Sequence, residues 1–128
     1  MKISGVHHIA IICSDYEKSK KFYTEILGLA IVAEHYRQER KSWKLDLAIQ
    51  GMYALELFSF PDPPPRSSMP EACGLRHFAL AVTNLDESIA FLSDNDIYTE
   101  QVRTDEYTGK RFTFFRDPDD LPLEIYEI

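Results

Sequence analysis

The chain is poor in cysteine and in basic residues, and each shortage excludes a class of function. Its 128 residues include only two cysteines, Cys13 and Cys73. They form no CxxC or zinc-knuckle spacing, so we expect buried apolar thiols rather than a disulfide or a catalytic nucleophile. Lys and Arg number 14 against 21 Asp and Glu, which gives a net charge of −7. Such an acidic balance disfavours nucleic acids and anionic membranes as partners.

Long apolar runs are also missing. No stretch approaches the roughly 18 residues of a transmembrane helix, and the N-terminal MKISGVHH lacks the apolar region of a signal peptide. We therefore expect a cytoplasmic protein. Hydrophobic residues make up 45% of the chain, which is typical of a globular protein. This length predicts a single domain over 1–128, which is long enough to bury a core without stabilising disulfides or metals.

The chain does contain an internal repeat. The segment VHHIAII matches LRHFALA further along, which sets His8 on His77 at an offset of 77 − 8 = 69. ALELF likewise matches PLEIY, which sets Glu56 on Glu124 at 124 − 56 = 68. Each half therefore begins with a strand that carries a His and ends with a strand that carries a Glu.

The two halves share the pattern of a βαβββ module. Five of the seven prolines lie within 61–70, which predicts an extended linker at 61–74 between module 1 (about 1–60) and module 2 (about 75–128). In each module a short strand precedes an amphipathic helix and three more strands. The predicted strands lie at 6–12, 30–39, 43–50 and 53–60, then at 75–81, 97–104, 110–116 and 122–127, and the helices run from Ser14 to Gly28 and from Asn84 to Asn95.

The predicted fold class is therefore α+β. A helix covers one face of each sheet, and the other face must be buried against a partner. We expect the bare faces of the two modules to pair, either within one chain or by exchange between two chains, and we expect a homodimer.

Two imidazoles and two carboxylates form a donor set of the kind that binds divalent metals. A lone His on a strand is usually a core residue and a strand Glu is usually solvated, but the repetition of both favours ligation. His7 lies on the opposite strand face from His8 and is not counted as a ligand. We expect His35 to be exposed. The aromatic series Phe112, Phe114 and Phe115 is predicted to be mostly core, with one member free to line a pocket.

These segments resemble the vicinal oxygen chelate superfamily, and most closely its glyoxalase I branch. The resemblance rests on HHIAI, FYTEILGL, LRHFAL, DPDD and PLEIYE. It implies two tandem βαβββ modules that form a cupped mixed sheet around a divalent ion (Zn, Ni, Co, Mn or Fe). The implied ligands are His8, Glu56, His77 and Glu124.

The resemblance also implies a metal-dependent lyase similar to lactoylglutathione lyase. Such an enzyme isomerises the hemithioacetal of a 2-oxoaldehyde through a metal-stabilised enediolate, with Glu124 as the catalytic base and Glu56 as the second candidate. Two alternatives stay open. One is a metalloenzyme of this fold with other chemistry, such as an iron dioxygenase or a thiol or epoxide transferase. The other is a non-catalytic small-molecule binding protein of the bleomycin-resistance kind.

One position departs from the resemblance. Ile12 stands where bacterial glyoxalase I has an arginine that helps to anchor glutathione, so the thiol partner stays open. Six cations are candidates for another anion anchor: Arg37, Arg40, Lys44, Arg103, Lys110 and Arg111.

Overall fold

The computed structural model describes all 128 residues and divides them into two compact units, Met1–Pro65 and Arg66–Ile128. Each unit contains one four-stranded mixed sheet that does not close on itself. The α+β class and the two βαβββ modules are therefore confirmed.

The first unit contains a short helix and four strands. Its elements are β1 (Ile9–Cys13), α1 (Tyr16–Lys21), a π-helical turn (Phe22–Ile26), β2 (Ala30–Arg37), a 3₁₀ turn (Gln38–Arg40), β3 (Ser42–Ile49) and β4 (Met52–Ser59). Sheet order is β1-β4-β3-β2, with β1 parallel to β4 and the other pairs antiparallel. The first strand thus lies beside the last, as the site prediction requires.

The helix of this unit differs from its prediction at both ends. Its N-cap is Asp15, whose side chain accepts a hydrogen bond from the Lys18 amide, so the helix begins one residue later than a Ser14 cap implies. After Lys21 the helix widens into a π turn, in which the Leu27 amide bonds the Phe22 carbonyl at 3.0 Å.

The second unit repeats this order. Its elements are β5 (Phe78–Val82), α2 (Leu85–Asp94), β6 (Arg103–Thr104), β7 (Arg111–Arg116) and β8 (Pro122–Glu127), in sheet order β5-β8-β7-β6. Asn84 caps α2 through a hydrogen bond from the Glu87 amide, as predicted. The predicted strand at 97–104 is reduced to two residues. Before it, the Glu100 amide still bonds the Phe114 carbonyl.

One face of each sheet forms the core with the helix of its unit. In the first unit the fully buried core residues include Leu45, Leu47, Leu55 and Leu57. The opposite face carries polar and exposed side chains, with Ile12 on β1 55% exposed. Alternation along the strands thus separates a helix-covered face from an open face.

The two cysteines lie in different environments. Cys13 is buried in the core of the first unit, as expected, and its thiol contacts the Phe58 carbonyl. Cys73 is exposed, which corrects the expectation of a second buried thiol: it lies in the irregular segment before β5 and not on the strand itself.

None of the helices has the length and apolar character that crossing a lipid bilayer would require.

Candidate metal centre

His8 and Glu56 come together on the open face of the first sheet. His8 lies one residue before β1, and Ala10 of β1 pairs with Glu56 of β4 in the parallel ladder. This register brings His8 Nε2 to 3.4 Å from Glu56 Oε2. The Glu56 residue is only 9% exposed, so its carboxylate is held in a largely desolvated position.

The other carboxylate oxygen of Glu56 is held by two neighbours. Lys44 Nζ lies 2.8 Å from Glu56 Oε1, and the Tyr53 hydroxyl donates to the same oxygen. Lys44 also pairs with Asp46. One oxygen of Glu56 is therefore fixed by an ammonium and a phenol, while the other faces His8.

The charges of this cluster follow from these contacts. Burial raises the pKa of Glu56, but the hydrogen bonds from Lys44 and Tyr53 lower it by more than burial raises it. The pKa of Glu56 is therefore below its usual value. Burial and the hydrogen bond to Glu56 raise the pKa of Tyr53 to about 12. Burial lowers the pKa of Lys44, yet the bonds to Asp46 and Glu56 outweigh it and raise the pKa. At neutral pH, Glu56 is an anion and Lys44 a cation.

His77 and Glu124 form the corresponding pair in the second unit. His77 lies one residue before β5, Ala79 pairs with Glu124 of β8, and His77 Nε2 approaches Glu124 Oε2 to 2.8 Å. Glu124 is 8% exposed. His77 is its one polar side-chain partner, so this carboxylate lacks the second anchor that holds Glu56.

The surroundings of the second pair are aromatic. Phe114 lies opposite Glu124 in the antiparallel ladder, and its ring packs edge-on against His77 with centroids 5.2 Å apart. At the matching position of the first unit, Asp46 lies opposite Glu56. Phe114 is thus the member of the aromatic series that lies beside the candidate ligands, while Phe115 is in the core.

The donor chemistry of both pairs fits a divalent cation. Each pair offers an imidazole nitrogen and a carboxylate oxygen that already face each other, and the buried Nδ1 of His77 has no protein partner. No group of three or more His, Cys, Asp and Glu side chains that could hold a metal ion is present. Each unit thus supplies two donors of the kind that Zn and similar ions accept.

The remaining histidines behave differently. His35 is exposed, as expected. His7, which is not counted as a ligand, is exposed: its Nδ1 lies 2.8 Å from His8 Nδ1, and its ring contacts Tyr53 edge-on. The chain before β1 is not yet in the strand, so the alternation of faces does not apply to His7.

The match to a family model decides the family. Residues 5–125 match the model of the Glyoxalase/Bleomycin resistance protein/Dioxygenase superfamily. The chain belongs to this superfamily. All four candidate ligands lie within the matched range.

Relatives within the superfamily match nearly the whole chain. The uncharacterized protein YwkD of Bacillus subtilis is 60% identical, with 99% of both chains covered. The uncharacterized protein YaeR of Escherichia coli is 58% identical, covering 98% of this chain and 97% of that one. The crystal structure of a glyoxalase family protein from Enterococcus faecalis is 46% identical, with a TM-score of 0.91 over 99% of this chain and 100% of that chain.

A more distant superfamily member is named for a reaction. The metallothiol transferase FosB of Staphylococcus saprophyticus is 27% identical, covering 97% of this chain and 77% of that one. The name of that relative describes a thiol transferase and refers to a metal.

Proposed function

We propose that the chain is a glyoxalase I-like, metal-dependent lyase whose ligands are His8, Glu56, His77 and Glu124. The carrying observation is that each module brings its own His and Glu together, Nε2 to Oε2, at the same place in the ladder. The structure thus pairs residues that lie 56 − 8 = 48 and 124 − 77 = 47 positions apart in the sequence.

The substrate class is a small molecule with two adjacent oxygens, such as the hemithioacetal of a 2-oxoaldehyde. A bound divalent ion supplies Lewis-acid polarisation of those oxygens. Superfamily membership supports this class of chemistry, and the two imidazoles favour Zn, Ni, Co, Mn or Fe over an all-oxygen ion such as Ca.

Glu124 is the proposed base. It would take the proton from the carbon that bears sulfur and return it to the neighbouring carbon, while the hydroxyl proton passes to the former carbonyl oxygen. The result is an isomer, a 2-hydroxyacyl thioester, so no oxidant or reductant is needed. Two side chains besides His8 hold Glu56, whereas Glu124 contacts only His77, so Glu124 is freer to move a proton.

Metal analysis of single variants tests the ligand set. We expect His77→Ala and His8→Ala each to lose most bound metal and all turnover, because each removes one of four donors. His35→Ala, which changes an exposed histidine, is the matched control and should keep both. Unchanged metal content and turnover in His77→Ala would overturn the proposal.

A thiol transferase is the second candidate, favoured by the similarity to FosB. The two reactions are separated by assaying the metal-loaded protein with methylglyoxal and several thiols, and in parallel with an epoxide and the same thiols. Isomerisation of the hemithioacetal supports the lyase, and thiol consumption with the epoxide supports the transferase. Oxygen uptake by the iron-loaded protein would instead indicate a dioxygenase.

We also propose that the protein is a homodimer, since each open sheet face needs cover. Sedimentation at several concentrations tests this: a particle of about twice the 14.8 kDa chain mass is expected.

A further inference from the structure

The structure distinguishes among the six cations that are candidate anion anchors. Three of them are already neutralised by carboxylates. Lys44 pairs with Asp46 and Glu56, Arg103 with Glu100, and Arg111 with Asp86 and Glu127. The other three have no carboxylate within salt-bridge distance: Arg37, Arg40 and Lys110. Arg40 and Lys110 are exposed, so Arg37 is the one member of the six that is partly buried and has no carboxylate partner.

Arg37 is held in place by aromatic rings and a hydroxyl. Its guanidinium carbon lies 4.6 Å from the centroid of Phe58 and 5.7 Å from that of Phe60. Its Nε and Nη2 both donate to the Oγ of the buried Ser42, with Nε at 3.1 Å. Neither of these hydrogen bonds uses Nη1. The guanidinium is therefore oriented, with one amino group still available to an acceptor.

This guanidinium lies on the same face as the His8–Glu56 pair. Lys44 shows this directly, because its Nζ contacts Glu56 and also lies 5.9 Å from the centroid of the Phe58 ring. Phe58 follows Glu56 by two residues along β4, which is a distance of about 7 Å in an extended strand. Arg37 also lines a surface depression with the turn that follows it, so solutes can approach it.

We propose that Arg37 binds an anionic group of the substrate, a carboxylate, phosphonate or phosphate, while the adjacent oxygens of the same molecule face His8 and Glu56. A guanidinium is always charged, weakly hydrated and planar, and it favours such oxyanions when it is desolvated by rings. Only one part of this inference rests on the proposed function, namely that the adjacent oxygens of the substrate face His8 and Glu56. Anion binding itself depends on the first unit alone.

The test is a titration of the metal-free protein with inorganic phosphate. Calorimetry measures the affinity, and the Nε–H signals of arginine in NMR spectra report which arginine is involved. We expect Arg37→Gln to weaken phosphate binding about tenfold, which corresponds to about 1.4 kcal/mol. Lys110→Gln removes the same charge from an exposed site and should change the affinity less than about twofold, as expected for a solvent-screened charge. Equal losses in both variants, or none in Arg37→Gln, would overturn the proposal.

One further variant, together with a stability measurement, separates binding from packing. Arg37→Lys keeps the charge but not the planar fork, and it replaces Arg37→Gln if the latter does not fold. We expect it to recover part of the affinity. If Arg37 only holds β2 against β4, Arg37→Gln would lower the midpoint of unfolding and leave the phosphate affinity unchanged. That result would contradict the proposal.

The source of the anion is identified by comparing acetate, methylphosphonate and phosphate as ligands. Tighter binding of acetate indicates a carboxylate substrate, and tighter binding of the other two indicates a phosphorus oxyanion. With substrate, Arg37→Gln should raise KM and leave metal content and kcat near the wild-type values. If the wild type binds no metal, the proposed ligand set is wrong. The phosphate titration of the metal-free protein tests Arg37 independently of that result.

Discussion

At the scale of single residues, the two carboxylates of the candidate centre differ in how they are held. Glu56 is fixed through one oxygen by Lys44 and Tyr53, while Glu124 has only His77. Partners of a metal-binding carboxylate orient it and tune its affinity, so Tyr53 and Lys44 are expected to act as positioning residues. The two carboxylates, equivalent by repeat, are thereby suited to different tasks.

We expect Tyr53→Phe to weaken zinc binding by about tenfold, because it removes a hydrogen bond to a proposed ligand and little volume. Competition with a chromophoric chelator measures this affinity. Tyr98→Phe, at a side chain that is 81% exposed, is the matched control and should bind zinc as the wild type does. Equal affinity in all three proteins would show that Tyr53 has no positioning role.

The sequence predicted the four candidate ligands, but not the contact that Tyr53 makes with Glu56. Three residues separate Tyr53 from Glu56, and an odd separation in a regular strand places two side chains on opposite faces. In β4, however, Leu55 pairs with Leu47 while Tyr53 pairs with Ala48, so Ala54 is an extra residue. This bulge turns Tyr53 towards Glu56. A register shift depends on the partner strand, and the pattern of one strand does not reveal it.

At the scale of elements, the second module is tied together by one arginine. Arg111 on β7 bonds both Asp86 at the start of α2 and Glu127 at the end of β8. Glu127 also accepts from the Leu85 amide, in the first turn of α2. The hydrogen bonds from Arg111, followed by that of the Leu85 amide, lower the pKa of Glu127 to about 2.

This network predicts a pH dependence of stability. A carboxylate whose pKa falls from 4.5 to about 2 on folding stabilises the fold above pH 4.5 and loses that contribution as the pH falls towards 2. We therefore expect the difference in unfolding free energy between the wild type and Glu127→Gln to shrink across this range. Urea unfolding at a series of pH values measures it, with Glu106→Gln, an exposed glutamate, as control. A difference that stays constant with pH would contradict the assignment.

The core of the first module gives a prediction about packing. Leu57 on β4 is completely buried, whereas Met52 on the same strand is 71% exposed. We expect Leu57→Ala to lower the free energy of unfolding by about 2–5 kcal/mol, since it leaves a cavity. The exposed counterpart Met52→Ala should change it by less than about 1 kcal/mol. Chemical denaturation of both variants checks this contrast.

Periodicity located every strand and both helices, but not all of their limits. Apolar spacing does not distinguish an α turn from the π turn after Lys21, and it does not show that β6 has only two residues. The hairpin turn between β3 and β4 is in contrast a local feature, since Gln50 and Gly51 both take the positive φ (48° and 78°) of a two-residue type I′ turn.

At the scale of the whole molecule, the repeat is symmetric in its proposed ligands and asymmetric in what surrounds them. The first sheet face carries Lys44, Asp46 and Arg37 near its pair, and the second carries aromatic rings and Arg103 near its own. A duplicated module has thus kept the donor set while its surroundings diverged. We expect the charged face to select the polar end of a substrate.

Mixing two inactive variants tests how the modules combine. If modules pair between chains, a heterodimer of His8→Ala and His77→Ala contains one site with both histidines intact and one with neither. Metal binding and turnover then return on mixing. If modules pair within a chain, every site lacks one histidine and mixing restores nothing. Metal analysis of the wild type should give one ion per chain in either case.

The parallel pairing of first and last strands has a consequence for folding kinetics. β1 and β5 lie at sheet edges, and each has a single strand partner. The partner of β1 is β4 and that of β5 is β8, and each partner lies dozens of residues further along the chain. Closing so long a loop is slow in comparison with forming a hairpin or a helix. The two histidines therefore reach their carboxylates only when a module is nearly complete, so we expect metal capture at the proposed site to be a late event and a direct reporter of finished folding.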